Sequence, residues 1–237
     1  MMKRPLILII CIVAFLYLES AATTAQEGQC LFGGSADETR CHYVVSIDIN
    51  FSYPTWVNDY EFALQPVQEF LKITRDEFWE FASNSLDFMI GPWFLEVTFE
   101  EYAFSDDVRS ILFTVNGYSG GAHPYSFYQT FTFDLAGERQ LLLLDLFQPD
   151  SDPMAVIAPL VEADLLAQMP DFGDAQWIDE GAGMNPDNYQ RFVLTDEALI
   201  FFFDPAQVAP RVAGPFEVSI PLENLTSILA PELQGVG

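Results

Sequence analysis

The residues in this sequence most suited to chemistry lie in the segment GYSGGAH, from Gly117 to His123. Its first five residues satisfy G-x-S-x-G, the pattern that places the nucleophilic serine of many hydrolases at a sharp turn from a strand into a helix. His123 follows two residues after the pattern ends. With a histidine as general base, Ser119 would hydrolyse a carbonyl substrate through a covalent acyl intermediate.

The residues after this motif predict a strand instead of the helix that the hydrolase turn requires. From Ala122 to Phe133, aromatic and polar residues alternate, which is typical of β structure. The histidine of α/β-hydrolases also comes late in the chain, whereas His42, the other histidine here, lies upstream. We therefore expect Gly120 and Gly121 to supply a turn that needs positive φ or close backbone approach, with His123 bracing it. The alternative role for this motif is hydrolysis with Ser119 as the nucleophile.

Carboxylates are abundant, but their spacing specifies no site. The chain has 35 Asp and Glu residues, so acidic neighbours in sequence say little about the opposed pair that glycoside hydrolysis needs. Four acids after residue 170 could bind calcium but lack the spacing of an EF-hand; they are Asp171, Asp174, Asp179 and Glu180. Calcium binding by this loop is one of two alternatives, and the other is a loop without a metal ion. Otherwise we expect neither a metal site nor a cofactor.

The first elements that would position the motif follow from periodicity. Tyr43 to Phe51 alternates apolar with polar residues, as a half-buried strand does. Asn58 suits a helix N-cap, and Pro66 is expected to break or kink that helix or to start a second one. The helix predicted up to Ala82 would pack on a sheet, with an apolar face that contains Phe70, Ile73, Phe78 and Phe81.

The remaining elements predict an α+β fold with an antiparallel sheet meander and helices packed on one face. The strands of the meander are 93–104, 108–118, 125–134 and 140–144. Asp152 as N-cap and Pro153 at the first helical position begin a helix. A loop over residues 170–190 follows, then a hairpin within 191–203 and a last strand at 216–220.

Several short motifs resemble one known family. They are SGGAH at 119–123, FDL at 133–135, LDLF at 144–147 and LTDEAL at 194–199. This set resembles the C-terminal domain shared by RsiV-type anti-sigma factors and PdaC-type peptidoglycan deacetylases, which is largely catalogued as a domain of unknown function. The resemblance covers residues 117–225 well. It implies an N-terminal strand-helix-strand region over 26–105 and a C-terminal α+β domain over 106–237.

The resemblance also implies a function. RsiV-type proteins sense lysozyme by binding it, and PdaC-type proteins work on peptidoglycan through a separate catalytic domain, whose metal-ligand motifs are absent from this sequence. It therefore implies a secreted, non-catalytic binding module of the cell envelope, with a cationic lysozyme-like protein or peptidoglycan as partner. The alternative is a small extracytoplasmic hydrolase that acts on cell-wall glycan or esters.

The family motif loop also nominates binding residues, which are Ser119, Gly120, Gly121, His123 and Tyr125. Pro205-Ala206 and Arg211 depart from the family pattern, which has aromatic residues at these two places. A partner surface at those positions would therefore differ from that of relatives.

The N-terminal residues predict export. Lys3 and Arg4 precede a 14-residue run without charge, from Pro5 to Leu18, and small residues follow up to Ala25, as in a cleavable signal peptide. The run is too short to cross about 30 Å of hydrocarbon as a helix. We expect residues 1–25 to be removed and the mature protein to be secreted or periplasmic, without a membrane span.

The net charge limits the classes of partner that this protein can bind. The net charge of −26 becomes −27 after cleavage, with 7 basic and 34 acidic residues. No basic patch for phosphates can form, which excludes nucleic acid as a partner, whereas a cationic partner is permitted.

Cys30 and Cys41 predict one disulfide in an oxidising compartment, because a zinc site would need more ligands than His42 adds.

Overall fold

The computed structural model describes residues 35–36, 41–42, 46–85, 92–171 and 173–234. The chain divides into two compact units, residues 1–44 and 45–237. In the first unit, β1 (Ser35–Ala36) pairs antiparallel with β2 (Cys41–His42). The predicted signal peptide lies outside the described residues, and so does Cys30, on which the predicted disulfide rests.

A five-stranded sheet forms the centre of the second unit. Its members, in the spatial order β3-β4-β5-β6-β7, are β3 (Ile47–Phe51), β4 (Trp93–Ala103), β5 (Val108–Tyr118), β6 (Tyr125–Asp134) and β7 (Arg139–Leu141). The strands β4 to β7 form the predicted antiparallel meander. The strand β3 pairs in parallel with β4. A long helical crossover connects these two strands, as parallel pairing requires.

The crossover helix, α1, spans Glu61–Asn84 and follows a 3₁₀ turn at Thr55–Asp59. The prediction that Pro66 breaks the helix or starts a second one is wrong, because α1 runs through this residue. Proline removes one backbone hydrogen bond near the helix start. Burial of Val67 and Leu71 against the sheet offsets that loss.

The apolar face of α1 differs in phase from the prediction. Phe78 is buried and Phe70 is partly buried, as expected. Ile73 and Phe81 are instead 47% and 53% exposed, because the small residues Ala63 and Ala82 let the helix approach the sheet along a neighbouring stripe. Phe81 is therefore available at the surface.

A second sheet has three antiparallel strands in the order β10-β9-β8. They are β8 (Phe192–Leu194), β9 (Ala198–Phe203) and β10 (Phe216–Pro221), close to the predicted hairpin and last strand. The helix α2 (Pro153–Gln168) begins as predicted, with the Asp152 side chain accepting from Ala155 N–H. The loop predicted over 170–190 contains a helix, α3 (Ala175–Ala182), which the Asp174 side chain caps.

The two sheets meet through β8. Leu112 of the large sheet packs with Val193 and Phe202 of the small one. The Leu194 N–H donates to the Ser110 hydroxyl at 3.0 Å, so a buried side chain satisfies an edge-strand donor. The helix α1 packs on one face of the large sheet, and α2 and α3 pack on one face of the small sheet, in agreement with the predicted α+β class.

The sheet continues across the sequence boundary inferred from family resemblance. Residue 105 lies in the short turn between β4 and β5, which pair along ten residues each. Residues 26–105 and 106–237 therefore both contribute strands to the same sheet. The compact unit that carries both sheets is 45–237.

Candidate functional site

The G-x-S-x-G motif lies at the end of β5 and in the turn that joins β5 to β6. The chain turns from one strand into an antiparallel neighbour, so Ser119 does not stand at the strand-to-helix turn of a hydrolase. Gly120 has φ +82°, and a Cβ there would lie 3.0 Å from Trp93 Nε1. The predicted turn with a positive-φ glycine is therefore present at Gly120. A Cβ at Gly121 would meet nothing closer than 3.9 Å.

A cleft of about 320 Å³ opens beside this turn. The helix α1 supplies one wall, and the turn and the start of β6 supply the other. The residues that line it are Thr74, Glu77, Phe78, Phe81, Ser119, Tyr125 and Phe127. Two predicted binding residues, Ser119 and Tyr125, therefore lie on the same cleft.

Aromatic rings give the cleft flat, well-supported walls. Phe81 stacks on the buried Trp93 with ring centroids 5.8 Å apart. Tyr125 and Phe127 lie nearly parallel at 6.5 Å, with an angle of 9° between their planes. Rings held this way need little ordering when a ligand binds, which lowers the entropic cost of association.

Polar groups stand among these rings. The Ser119 and Tyr125 hydroxyls and the exposed Glu77 carboxylate line the same space. Burial, followed by the negative charge of Glu77, raises the pKa of Tyr125, so the phenol keeps its proton at neutral pH and can donate a hydrogen bond. A cleft with hydroxyl donors, a carboxylate acceptor and apolar rings can bind a polar ligand that has an apolar face.

Trp93 adds a buried donor beneath the turn. Its ring is 2% exposed, and its Nε1 has no hydrogen-bond partner among the residues that the structure describes. A buried N–H without a partner costs about 1–3 kcal/mol. The position of the Gly120 backbone over this ring links the turn to the aromatic wall of the cleft.

His123 and Ser119 line different hollows. His123 is exposed and borders a second hollow together with Asn116, Tyr125 and Arg211, whereas the cleft that holds Ser119 has no histidine among its described lining residues. Tyr125 borders both spaces.

Sequence reasoning missed Glu77 and Phe81 as site residues. Their spacing of i and i+4 places them on one helix face, which was the available signal, but nothing local showed that this face borders the turn after β5.

Two of the four acidic residues of the predicted loop, Asp174 and Glu180, accept hydrogen bonds through their side chains. The Asp174 side chain accepts the N–H groups of Gln176 and Trp177, and Glu180 accepts from Gln176 Nε2 at 3.1 Å. Within the described ranges, no group of three or more His, Cys, Asp or Glu side chains is arranged to hold a metal ion.

The fold is shared with a solved structure. A DUF3298-family protein from Pseudomonas aeruginosa PAO1 superposes with a TM-score of 0.52 and 22% identity, over 65% of this chain and 70% of that one. At this identity the likeness concerns the fold, and it defines a class of α+β proteins.

The sequence then identifies the domain. Residues 144–223 match the family DUF3298, a protein of unknown function, so the chain contains a DUF3298 domain. The predicted resemblance to the PdaC-type family is thereby confirmed. The match includes α2, α3 and the three-stranded sheet, whereas the cleft residues precede it.

Curated relatives align over most of the chain. Immunogenic protein MPT64 of Mycobacterium tuberculosis (strain ATCC 25618 / H37Rv) is 29% identical over 97% of this chain and 100% of MPT64. Esterase Rv3036c of the same strain is 27% identical over 92% of this chain and 96% of its own. Peptidoglycan-N-acetylmuramic acid deacetylase PdaC of Bacillus subtilis (strain 168) is 24% identical over 75% of this chain and 38% of PdaC.

These relationships bear on location. The chain is homologous to MPT64 and to PdaC, and the homology to MPT64 supports an extracytoplasmic location. In the part of the chain that the structure describes, no helix combines the length and the apolar character needed to cross a bilayer.

Proposed function

We propose that this protein is an extracytoplasmic, non-catalytic module that binds cell-envelope glycan in the cleft beside the Ser119 turn. The observation that carries the proposal is the pairing of stacked aromatic walls with the hydroxyls of Ser119 and Tyr125 and the Glu77 carboxylate. A sugar ring has an apolar face and a polar rim, which matches this arrangement. The volume of about 320 Å³ lies within the usual range for small-molecule sites.

Peptidoglycan is the glycan that the relatives favour. PdaC is named for deacetylation of peptidoglycan N-acetylmuramic acid, and it aligns with three quarters of this chain. The aligned part is a minor share of PdaC, 38% of its length, so the shared region is proposed to contribute binding.

The test is binding of soluble peptidoglycan fragments by the wild type and by Phe81→Ala. Loss of the exposed ring should weaken binding about two- to tenfold, because an aromatic contact contributes about 0.5–1.5 kcal/mol and tenfold corresponds to about 1.4 kcal/mol. Calorimetric titration would measure it.

Trp79→Ala is the matched control. Trp79 lies on the same helix and is 55% exposed, but it does not line the cleft. Equal weakening by both substitutions, or no saturable binding by the wild type, would refute the glycan site.

Ester hydrolysis is the second candidate, favoured by the esterase relative and by the place of Ser119 beside Glu77. We expect no covalent labelling of Ser119 by a fluorophosphonate probe, because no histidine is among the described residues that line this cleft, and a serine that no imidazole base activates is a weak nucleophile. Mass spectrometry of the treated protein would measure the adduct. An adduct on wild type that disappears in Ser119→Ala would establish the hydrolase instead.

A cationic lysozyme-like protein is the alternative ligand for a binding module. It is supported by the acidic composition, which attracts cationic proteins through long-range charge. A specific interface should persist at a salt concentration that abolishes binding to an unrelated protein of equal positive charge, because exposed charges are screened beyond about 8 Å at physiological salt.

A further inference from the structure

A second hollow lies on the other side of Tyr125, where the β5–β6 turn approaches the connection between β9 and β10. It measures about 480 Å³. Arg211 and His123 face it from the two segments, and Asn116 and Ser126 add an amide and a hydroxyl. No Asp or Glu is among its described lining residues, although the chain contains 35 acids.

Arg211 differs from the other cations of the described chain. The six described basic residues are Lys72, Arg75, Arg109, Arg139, Arg191 and Arg211. Four of them lie within 4 Å of an Asp carboxylate. Arg109 lies 5.8 Å from the Trp56 ring and donates to the Asp106 carbonyl. Arg211 is exposed and makes no ion pair or side-chain hydrogen bond with any described residue.

The hollow also has a small apolar surface next to the guanidinium. Val212 is 96% exposed, and Pro124 and Pro205 lie nearby with backbones that proline restricts. An exposed valine beside an arginine without a charge partner provides both halves of a site for a carboxylate with a neighbouring methyl group. Guanidinium suits carboxylates because its parallel N–H groups match the two oxygens.

We propose that this hollow binds a carboxylate whose adjacent carbon carries a methyl group, with Arg211 pairing the two oxygens and Val212 contacting the methyl. The Asn116 amide and Ser126 hydroxyl line the same hollow and would bond the polar substituent on the same carbon. Two sources share this chemistry, the C-terminal alanine of a peptide and the lactyl ether of an acidic sugar. The site is distinct from the cleft and does not depend on the proposed glycan function.

The experiment is a titration of the full protein, followed by amide and arginine side-chain NMR shifts. N-acetylalanine is compared with N-acetylalaninamide, which lacks the charge, and N-acetylmuramic acid with N-acetylglucosamine, which lacks the lactyl group. We expect binding of at least one acid, with shifts at Arg211, and binding at least tenfold weaker for its uncharged counterpart. Response to N-acetylalanine alone assigns the peptide source, and response to N-acetylmuramic acid alone assigns the sugar.

Two variants separate a local site from bulk charge. Arg211→Gln should weaken binding about tenfold or more, whereas Arg75→Gln, which removes the same charge from an exposed pair on α1, should leave it unchanged. Phe81→Ala should also leave it unchanged, so failure of the glycan cleft does not affect this result. Equal binding of acid and uncharged analogue, equal loss in both arginine variants, or no shift with either acid would overturn the proposal.

Discussion

Replacement of Asp204 by alanine is expected to destabilise the folded protein by about 2–4 kcal/mol. One carboxylate oxygen accepts the backbone N–H of Tyr128 at 2.8 Å, and the other pairs with Arg191 Nη2 at 2.8 Å. Arg191 Nε in turn donates to the Tyr128 carbonyl at 2.8 Å. The substitution leaves a partly buried guanidinium and a backbone N–H without their acceptor, and equilibrium denaturation would measure the loss.

The reason for this contact lies in the edge of the large sheet. The edge strand β7 pairs with β6 only at Thr132, Phe133 and Asp134, so Tyr128 has no strand on that side. Asp204 and Arg191 supply the acceptor and the donor that a strand would have supplied. A strand edge without such cover is a template for pairing with another chain. Asp204→Ala should therefore also increase self-association.

The control is Asp196→Ala, which removes an exposed acid from the turn between β8 and β9 and should change stability by less than about 0.5 kcal/mol. Burial raises the pKa of Asp204, partly offset by the Tyr128 N–H and by Arg191. Because the pKa of Asp204 is higher in the folded protein than in the unfolded chain, this carboxyl contributes its full stabilisation at pH values below the ordinary Asp range. That stabilisation decreases as the pH rises through the pKa of the folded protein. The penalty of Asp204→Ala should thus be larger in mild acid than at neutral pH. Equal stability of the two variants would contradict the role of Asp204.

Strands were predictable here where aromatic and β-branched residues run between turn residues. The boundaries of β5 and β6 match the predicted 108–118 and 125–134, because such runs are typical of β structure and the turn residues mark their ends. The parallel entry of β3 was not predictable in the same way. An alternating strand such as Ile47–Phe51 specifies which side chains are buried, but not the direction of its neighbour.

The presence of α1 and α2 was predictable from the sequence, whereas the face that α1 buries was predicted only in part. Asp152 and Pro153 located the start of α2, since a cap and an N-terminal proline are local signals. In α1 the large aromatics suggested one face, while packing followed the small residues next to it and left Phe81 exposed. The helix α3 was missed because glycines and acids dominate its segment, although Asp174 is a regular N-cap.

Only those residues of the candidate site that lie close together in the sequence were predictable. Ser119 and Tyr125 could be nominated because they lie in one motif, and both line the cleft. Glu77 and Phe81 come from a helix some forty residues earlier, and their proximity is a result of the crossover between β3 and β4. Sequence adjacency also misled, because His123 lies four residues after Ser119 yet lines another hollow.

Valine at Gly120 is expected to destabilise the protein by about 2–6 kcal/mol. Gly120 has φ +82° and lies over the Trp93 ring, so that a Cβ would be 3.0–3.3 Å from three indole atoms. A β-branched residue in that backbone region costs about 1–3 kcal/mol, and overpacking against a buried ring adds about 1–3 kcal/mol. Denaturant unfolding with tryptophan fluorescence would measure the change.

Gly121→Val and Ser119→Ala are the matched controls for this turn. Gly121 has no positive φ, and a Cβ there is free of close contact, so valine should cost less than about 1 kcal/mol at this exposed position. Ser119→Ala removes one partly exposed hydroxyl and should cost a similar small amount. A turn that merely links two strands would tolerate valine equally at both glycines, and that result would refute the role given to Gly120. Because Trp93 supports Phe81 through stacking, Gly120→Val should also weaken glycan binding in the molecules that remain folded, whereas Gly121→Val should not.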